Sequence, residues 1–480
     1  MDSHQAQKFL HVFHTTARTV PAYKNFLKRH STNPARIKTF KDFGTIPLSD
    51  KKGYLWKSPL EDFFPDRTFP PMVYASSGSS GKPTYWFRGD AQEEVGGRLH
   101  EIIFRDIFGI KKNESTLVII CFSMGVWIAG NYTLSACRWV ARQGYAISTI
   151  TPGIEREDIF NTLKNIAPRF HNVILAGYPP FLMDVVSGAH ERGIRIRNKK
   201  VKFFTAGDKI TEEWRDKMLE LLQIKDPYFS SADIYGSADA AMLGHETPLS
   251  IFLRREARNN KSFYKTLFGD APMLPSLVQY HEDTIFFEKA GDELVFTTNT
   301  SVPLIRYNIH DTGNLFSYED MIRIIRAYGL LKKAAQVGLD RWKLPFVAVK
   351  GRTDVAVTFY ALNIFPENIR AAIEDRRVSK YLSGNFITYN KTSHNQRTQK
   401  LHVEFELAKK VRPNGKIREI VKQSVLDNFR RMNMEFRKLY AVLGNRAEPV
   451  IKLIDNNNFH PIASDKGLVG IKGKKPRVML

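Results

Sequence analysis

Short apolar runs alternate with helical patterns along the first part of the chain. Residues 116–122 (TLVIICF), 172–177 (NVILAG) and 201–207 (VKFFTAG) are rich in β-branched, aromatic and other apolar residues, and each ends at or just before a Gly or Ser. Such runs predict buried strands. Because strands that alternate with helices build largely parallel sheets, the pattern predicts an α/β fold.

The helical pattern is clearest in residues 211–223 (TEEWRDKMLELLQ). Thr211 can cap the first turn, and Glu212 and Glu213 suit the positive end of the helix dipole. One apolar stripe follows at helical spacing and consists of Trp214, Met218, Leu221 and Leu222. The segment therefore predicts an amphipathic helix.

A second pattern of strands and helix closes the chain. Residues 401–407 (LHVEFEL) alternate apolar and polar positions, residues 416–429 have helical periodicity, and residues 450–454 (VIKLI) are apolar. This β-α-β order predicts a small α+β domain at 353–480, after a large N-terminal domain at 1–352.

One stretch of the large domain fits neither pattern well. Residues 252–275, which include RREARNNKSFYK, are polar, basic and only weakly periodic. We therefore expect a surface insertion there. No internal repeat is visible in the chain.

The bulk composition is that of a large globular protein. The chain has 480 residues, 43% of them hydrophobic, which is enough for an extensive core and more than one domain. No run approaches the ~20 apolar residues of a membrane span, and the first residues lack the pattern of a secretion signal. Cys121 and Cys137 lie in apolar sequence without metal-binding spacing. We expect two buried thiols, no zinc site and a cytoplasmic location.

The chain is strongly basic, with a net charge of +23. Residues 353–480 hold 24 Lys and Arg against 12 Asp and Glu, so basic density is highest toward the C-terminus. Such a surplus suits nucleic acid, an acidic membrane surface, a polyphosphate ligand or an acidic protein, and a solvated basic face explains it equally. Because the sequence lacks a nucleic-acid motif with interleaved aromatic residues, nucleic acid is a disfavoured partner.

A loop rich in Ser and Gly follows an apolar run at residues 76–84 (SSGSSGKPT). Gly lets backbone N–H groups approach an oxyanion closely, while hydroxyls and an ammonium supply further donors, so phosphate is the natural ligand. The loop is not a Walker motif, because Gly78 and Gly81 are two residues apart and Pro83 follows Lys82. Taken alone, it is equally compatible with a flexible surface turn.

Four segments, in order, resemble the adenylate-forming superfamily and specifically the phenylacetate–CoA ligase-like enzymes. They are SSGSSGKPT (76–84), DIYGSADAAMLG (233–244), VPLIRYNIHDTGNL (302–315) and VKGRTDVAVTFYALNIFP (349–366). The final GKKPRVML is also similar to the family's closing segment. The resemblance spans nearly the whole chain. It implies a large N-terminal domain of sheets and helices and a small, mobile α+β domain.

The resemblance also implies a reaction. The family activates a carboxylic acid with ATP and Mg²⁺ to give an acyl-adenylate and pyrophosphate, and then passes the acyl group to an acceptor, usually coenzyme A. In this chain the family's catalytic lysine falls on Lys474, which would bring the carboxylate and the α-phosphate together. The acidic residue that holds Mg²⁺ falls on Asp239.

The remaining sites follow from the same resemblance. The phosphate loop is assigned to Ser76, Ser77, Gly78, Ser79, Ser80, Gly81 and Lys82. The nucleoside site is assigned to Tyr235, Gly236, Ser237, Asp311 and Arg352, with Tyr235 stacking on adenine and Asp311 binding the ribose hydroxyls. The acyl pocket is assigned to Met124, Trp127 and Gly207, although Met124 and Trp127 are equally compatible with ordinary core positions.

The sequence departs from the family at several of these positions. Asp239 replaces a Glu, Ala238 stands where Ser or Thr is usual, His310 replaces a Gly, and Tyr360 with Ala361 replaces Arg-Gly. We expect an altered metal geometry and a different backbone around the ribose carboxylate. Because a ring and a Cβ stand where the acceptor arm would pass, an amine or the thiol of an acidic carrier protein is an alternative to coenzyme A. A relative that binds nucleotide without turnover is a further alternative, and a homodimer is left open.

Overall fold

Helices and strands alternate along most of the chain. The computed structural model describes residues 3–75, 84–194, 200–207, 209–271, 274–352, 357–360, 362–364, 366–393, 398–456, 467–470 and 477–479. The helices are α1 (Ser3–Thr19), α2 (Pro21–Arg29), α3 (Phe40–Phe43), α4 (Asp90–Ile102), α5 (Ile128–Arg142), α6 (Arg156–Asn165), α7 (Pro179–Glu191), α8 (Glu212–Leu222), α9 (Pro248–Asn259), α10 (Lys261–Phe268), α11 (Tyr318–Ala327), α12 (Leu331–Gln336), α13 (Pro366–Ile373), α14 (Gly415–Met432) and α15 (Met434–Leu443).

The strands of the described residues fall into two sheets and two hairpins. They are β1 (Met72–Ala75), β2 (Tyr85–Arg88), β3 (Thr116–Cys121), β4 (Ile147–Ile150), β5 (Asn172–Gly177), β6 (Lys200–Ala206), β7 (Ser231–Ser237), β8 (Ala241–His245), β9 (Ser276–Gln279), β10 (Ile285–Ala290), β11 (Glu293–Thr298), β12 (Leu304–Phe316), β13 (Phe346–Arg352), β14 (Val357–Phe359), β15 (Leu362–Ile364), β16 (Leu382–Thr392), β17 (Gln399–Leu407), β18 (Val450–Ile454), β19 (Gly467–Gly470) and β20 (Arg477–Met479). Short 3₁₀ turns and one π-helical turn at Ile103–Ile107 complete the description.

The large sheet confirms the predicted α/β fold. Its order is β10-β11-β12-β13-β9-β8-β7-β6-β5-β3-β4, and the five strands from β4 to β7 are parallel. Every residue of β3 and β5 is buried, as expected for parallel strands covered on both faces. Leu117 and Ile119 point into one hydrophobic cluster, while Val118 and Ile120 point into the other. The sheet is therefore packed between two layers of helices.

Helix α8 begins as the sequence predicts. The Thr211 hydroxyl accepts a hydrogen bond from the backbone N–H of Trp214 at 3.1 Å. Trp214 and Met218 are buried in the cluster that also contains residues of β3 and β5. The local signals, a cap followed by an apolar stripe, were sufficient here.

The surface insertion expected at 252–275 is wrong. The region forms most of α9, which begins in a capping box between Thr247 and Ser250, and all of α10. Phe252 and Phe263 are buried. The segment looked polar because its basic residues include Arg254, which is buried in ion pairs with acidic residues of other elements.

The C-terminal part confirms the predicted β-α-β pattern. Strands β17 and β18 are parallel neighbours, joined through α14 and α15, in a five-stranded sheet of order β18-β17-β16-β19-β20. Leu401, Val403, Phe405 and Leu407 are all buried, as their alternation predicts. The domain boundary expected at residue 353 lies outside the described residues and stays a prediction.

Two further expectations can be compared with the structure. Cys121 and Cys137 are both buried and free, as predicted. Within the described part of the chain, no helix combines the length and the hydrophobicity that crossing a lipid bilayer demands.

Candidate active site

A cavity of about 660 Å³ lies at the carboxyl ends of the parallel strands. Tyr178 follows β5, Gly207 follows β6 and Tyr235 lies near the end of β7, and all three line it. In α/β sheets this edge is where ligands bind. Tyr360 and Lys438 of the C-terminal part line the same cavity.

The structure brings together two residues that the resemblance assigns to the nucleoside. The Tyr235 hydroxyl donates a hydrogen bond to Asp311 Oδ2 at 2.6 Å. Tyr235 comes from β7 and Asp311 from β12, so the fold joins segments that are distant in the chain. The Asp311 side chain is therefore held at the cavity wall, where both residues lie.

Asp239 lies in the turn between β7 and β8, also at the cavity. Tyr307 donates its hydroxyl hydrogen to Asp239 Oδ2 at 2.8 Å. Burial, together with the negative charge of Asp239, raises the pKa of Tyr307 well above its usual value, so Tyr307 remains a donor. The predicted metal ligand is thus a buried carboxylate with a fixed orientation.

The other Asp239 oxygen is paired with a residue that the sequence did not single out. Lys51 Nζ lies 3.0 Å from Asp239 Oδ1. The Lys51 side chain is 37% exposed and that of Asp239 only 2%. The pair therefore joins a lysine that reaches solvent to a carboxylate that does not.

Backbone pairing explains how Lys51 reaches this position. Ser49 forms a bridge to Tyr307 in β12, and its N–H donates to the Arg306 carbonyl at 3.0 Å. The Ser49 carbonyl accepts from the Asn308 N–H at 2.8 Å. An extended residue two positions before Lys51 is thereby fixed beside the strand that carries the Asp239 partner.

The predicted phosphate loop lies between β1 and β2, and residues 76–83 lie outside the described residues. Its flanks are well anchored. Tyr74 donates to Glu93 Oε1 at 3.0 Å, and Arg88 Nη2 donates to the Ala238 carbonyl at 3.1 Å. Arg88 therefore ties the end of β2, the strand that follows the loop, to the turn that holds Asp239.

The structure describes the surroundings of three of the other residues that the resemblance assigns, but not of the fourth. Gly236 has no room for a side chain, because a Cβ there would lie 2.4 Å from the Ala241 carbonyl oxygen. Ser237 Oγ accepts from the Ala240 N–H at 3.2 Å. The backbone of Arg352 pairs with that of Asp311 across β12 and β13. The predicted catalytic Lys474 lies outside the described residues.

The residues assigned to the acyl pocket differ in whether they line the cavity. Trp127 and Gly207 line the cavity, whereas Met124 is not among the described residues that do. The Met124 side chain packs against Gly130 and Gly153 instead. Apolar side chains dominate this wall, namely Phe122, Ile128, Tyr132, Phe204 and Met242. The sequence missed most of them because they belong to separate strands and helices.

A buried charge network contacts Asp233, which lines the cavity. Arg215 and Arg254 both pair with Glu212 and Glu246, and all four side chains are at most 1% exposed. The Asp233 N–H donates to Glu246 Oε2 at 2.9 Å. Burial, and then the charge of Glu246, raises the pKa of Asp233 well above its usual value. The network fixes the backbone of β7 just before Tyr235.

His310 stands where the family has Gly, and its backbone conformation is one that favours Gly. His310 has a φ of 66°, in the left-handed region that favours glycine. Its Nδ1 lies 3.2 Å from Glu293 Oε1 and its Nε2 3.8 Å from Asp50 Oδ2. The interaction with His310 lowers the pKa of Asp50, against the opposing effect of burial. These contacts offset the strain of about 1–2 kcal/mol that a Cβ adds in this conformation.

Tyr360 forms a junction between the two parts of the chain. Gln399 Oε1 accepts from the Tyr360 N–H at 2.7 Å and from the Tyr178 hydroxyl at 3.2 Å. The Gln399 N–H donates to the Tyr360 hydroxyl oxygen at 3.1 Å. Nearby, Lys438 Nζ lies 5.1 Å from the centre of the Trp127 ring. The ring of Tyr360 is therefore held in place at the cavity wall.

Comparison with known proteins agrees with the resemblance that the sequence motifs indicate. No model of a known protein family matches the chain. The chain is 21% identical over 364 residues to phenylacetate-coenzyme A ligase of Aromatoleum evansii, and 22% over 368 residues to that of Escherichia coli (strain K12). Each alignment covers 74% of this chain and 71% of the relative.

Solved structures extend the match to nearly the whole chain. 2-Hydroxyisobutyryl-CoA ligase in complex with 2-HIB-AMP and CoA, in the thioesterification state, matches with a TM-score of 0.64 at 16% identity, over 97% of this chain and 89% of that chain. This chain has the fold of the adenylate-forming CoA ligases. The same ligase in the postadenylation state matches with a TM-score of 0.53, over 95% of this chain and 86% of that one. The adenylate-forming fold and the resemblance to phenylacetate–CoA ligases are thus confirmed.

Proposed function

We propose that this protein is an AMP-forming acyl ligase that activates a carboxylic acid with ATP and transfers the acyl group to coenzyme A. One observation carries the proposal. Tyr235 and Asp311, assigned to the nucleoside, and Asp239, assigned to Mg²⁺, come from two separate motifs and line a single cavity at the carboxyl ends of the parallel strands. Relatives named phenylacetate-coenzyme A ligase support the choice of reaction.

In this proposal the nucleoside lies along Tyr235 and Asp311. The Tyr235 ring offers a face for adenine, and the Asp311 carboxylate accepts hydrogen bonds from the ribose hydroxyls. Asp311 is held by Tyr235 before ligand binds, so little reorganisation is required. Residues 76–82 would hold the departing phosphates, and Lys474 would neutralise charge between the carboxylate and the α-phosphate.

Asp239 is suited to bind a magnesium ion whose other ligands would come from the phosphates of the nucleotide and from water. Mg²⁺ is usually held by one or two carboxylates together with phosphate oxygens and water. Among the described residues, no cluster of three or more acidic, His or Cys side chains could hold a metal alone. Lys51 is paired with the Asp239 oxygen that faces it, and its exposed stem allows it to turn away. The bound ion would neutralise charge on the phosphates.

The chemistry requires positioning and charge neutralisation from the protein. The substrate carboxylate attacks the α-phosphate, the bond to the β-phosphate breaks, and pyrophosphate leaves with the electron pair. The anchored flanks of the phosphate loop and the fixed turn at Asp239 hold the two ends of the triphosphate site. The thiol of coenzyme A then attacks the acyl carbon and releases AMP.

The division into domains at 1–352 and 353–480, with a mobile smaller domain, is part of this proposal. So is a cytoplasmic location, which rests on the composition of the sequence. Because Tyr360 lies at the cavity wall, an acceptor other than coenzyme A is an alternative within this proposal. An amine or a carrier-protein thiol would serve if the ring, held by Gln399, blocks the arm of coenzyme A.

The test is acid-dependent exchange of pyrophosphate into ATP, without acceptor, over a panel of aryl, fatty and amino acids. We expect exchange with at least one acid in the wild type and its loss in Lys474→Ala. Product analysis with coenzyme A, amines and carrier protein then identifies the acceptor. ATP binding without exchange for any acid would instead favour a nucleotide-binding protein without turnover.

A further inference from the structure

Helix α15 of the C-terminal part turns one of its faces to the cavity. The cavity-lining residues of this helix are Glu435, Lys438, Leu439, Val442 and Leu443. They follow one another at i, i+3, i+4, i+7 and i+8, which is the spacing of a single helical face. The last two turns of this face are apolar, and we call Leu439, Val442 and Leu443 the α15 strip.

The packing of α15 within its own part of the chain does not account for the whole strip. Phe436, on another face of the helix, is fully buried and packs edge-on against Phe429 of α14, with ring centres 5.1 Å apart. Val442, in contrast, is 37% exposed. A single exposed valine is ordinary, but Val442 stands with two further apolar side chains at the wall of a cavity. Such a wall suits an apolar ligand group.

The α15 strip lies close to the wall assigned to the acyl group. Lys438, one turn before Val442, places its Nζ 5.1 Å from the centre of the Trp127 ring. Trp127 and the next residue, Ile128, both line the cavity from the N-terminal part. Phe181 of α7 lines it as well. Apolar side chains from both parts of the chain therefore enclose one space.

This lining suits a hydrocarbon better than the arm of coenzyme A. That arm carries two amides and a hydroxyl, and burying such groups without hydrogen bonds is costly. The side chains of the α15 strip offer neither donors nor acceptors. The Tyr360 hydroxyl, at the same cavity, already accepts a hydrogen bond from the Gln399 N–H. A chain of methylene groups loses nothing here and gains free energy on burial.

We propose that the acid has an extended apolar chain, which runs from the wall at Trp127 to α15 and contacts Leu439 and Val442 with its far end. The inference rests on the proposed function, because it takes the cavity to be the acyl site. The carboxylate lies toward Asp239 and the nucleotide, so the length of the chain decides whether an acid reaches α15. Leu439 and Val442 are then residues that determine specificity.

The experiment measures acid binding to the full chain by calorimetry, with a non-hydrolysable ATP analogue present. The acids are hexanoate, octanoate, decanoate, dodecanoate and phenylacetate. Val442→Trp fills the space beside the α15 strip, and Val442→Asn removes the apolar contact if the larger side chain prevents folding. The same two changes at Val450 are the controls. Val450 is a 41% exposed valine of β18 and is not among the described residues that line the cavity.

In the wild type and the Val450 variants, we expect affinity to rise by up to about fourfold per added methylene until the chain reaches α15. The best straight-chain acid should bind at least about tenfold more tightly than phenylacetate. Val442→Trp should move the optimum to a shorter acid, and Val442→Asn should weaken binding of the longest acids by about fivefold.

Affinity that does not depend on chain length, an optimum and affinities that both Val442 variants leave unchanged, or no binding by any acid would each overturn the inference. Unchanged acid binding in Val442→Trp with a raised KM for coenzyme A would overturn it too, because the acceptor would then occupy the strip. Pyrophosphate exchange is measured in parallel. Length-selective binding that depends on Val442, without exchange, would uphold the apolar site while rejecting the ligase.

Discussion

Replacing Lys51 by Met tests the pairing that the structure adds at Asp239. The change keeps the apolar stem and removes the ammonium that lies 3.0 Å from Asp239 Oδ1. At this separation, and with an effective dielectric constant of about 20, the attraction is about 5.5 kcal/mol. Part of it is offset, because the Lys51 side chain is 37% exposed and gives up hydration and rotamer freedom when it pairs. Breaking a fully buried pair costs about 3–5 kcal/mol, so we expect a loss of about 2 kcal/mol.

The assay is urea unfolding at pH 7, comparing the free energy of unfolding of the transition that reports the N-terminal part. Lys52→Met is the matched control, since Lys52 is the exposed neighbour in the same turn. In an Asp239→Asn background, Lys51→Met should cost less than about 0.5 kcal/mol, because no buried charge is left unpaired. If Lys51→Met and Lys52→Met are equally stable in the wild-type background, the ion pair contributes nothing and the reasoning is refuted.

Three further predictions follow from buried positions. Gly313→Ala places a Cβ 2.1 Å from a backbone carbonyl oxygen of the neighbouring strand and should lower the free energy of unfolding by about 3 kcal/mol. Gly351→Ala is the control, because a Cβ there meets open space and should leave the stability unchanged. Equal melting temperatures of the two variants would contradict this prediction. Arg215→Met leaves Glu246 without one of its buried partners and should cost about 3–5 kcal/mol in urea unfolding; a loss under 1 kcal/mol would show that Arg254 alone suffices. The pKa of His100 is lowered by burial to about 4, so the unfolded chain, with a pKa near 6.5, binds this proton first. Stability present above pH 6.5 is therefore lost as the pH falls toward 4, by about 1.4 kcal/mol at pH 5.5. Urea titrations at pH 7.5 and 5.5 give the loss in the free energy of unfolding, and His100→Phe should make that loss smaller by the same amount. An equal loss in the wild type and the variant would refute the idea that His100 is buried in its neutral form.

The elements that could be predicted are those whose signal is local. The strands at residues 116–121 and 172–177 are apolar after their first residue because they are buried on both faces, so the sequence pattern alone predicts them. Helix α8 has both its cap and its stripe within a dozen residues. The nucleotide motifs were also recognisable from the sequence, since each is a continuous segment, and the structure places Tyr235 in contact with Asp311.

Other features depend on charges that the fold pairs. The helices in 252–275 were hidden because Arg254 counts as polar in the sequence but is buried beside Glu246. Lys51 was one of many lysines in a basic chain, and only its bridge through Ser49 to Tyr307 places it against Asp239.

By itself, then, the sequence determined the α/β class, the order of the motifs and the likeness to adenylate-forming enzymes, because periodicity and motif spacing are properties of neighbouring residues. Only the tertiary structure decided which side chains enclose the cavity, since strands and helices far apart in the chain each contribute one or two. It also decided that the buried Nε2 of His100 has no hydrogen-bond partner within the described part of the chain. Whether a buried polar atom is satisfied depends on every group packed around it, and no local pattern records that.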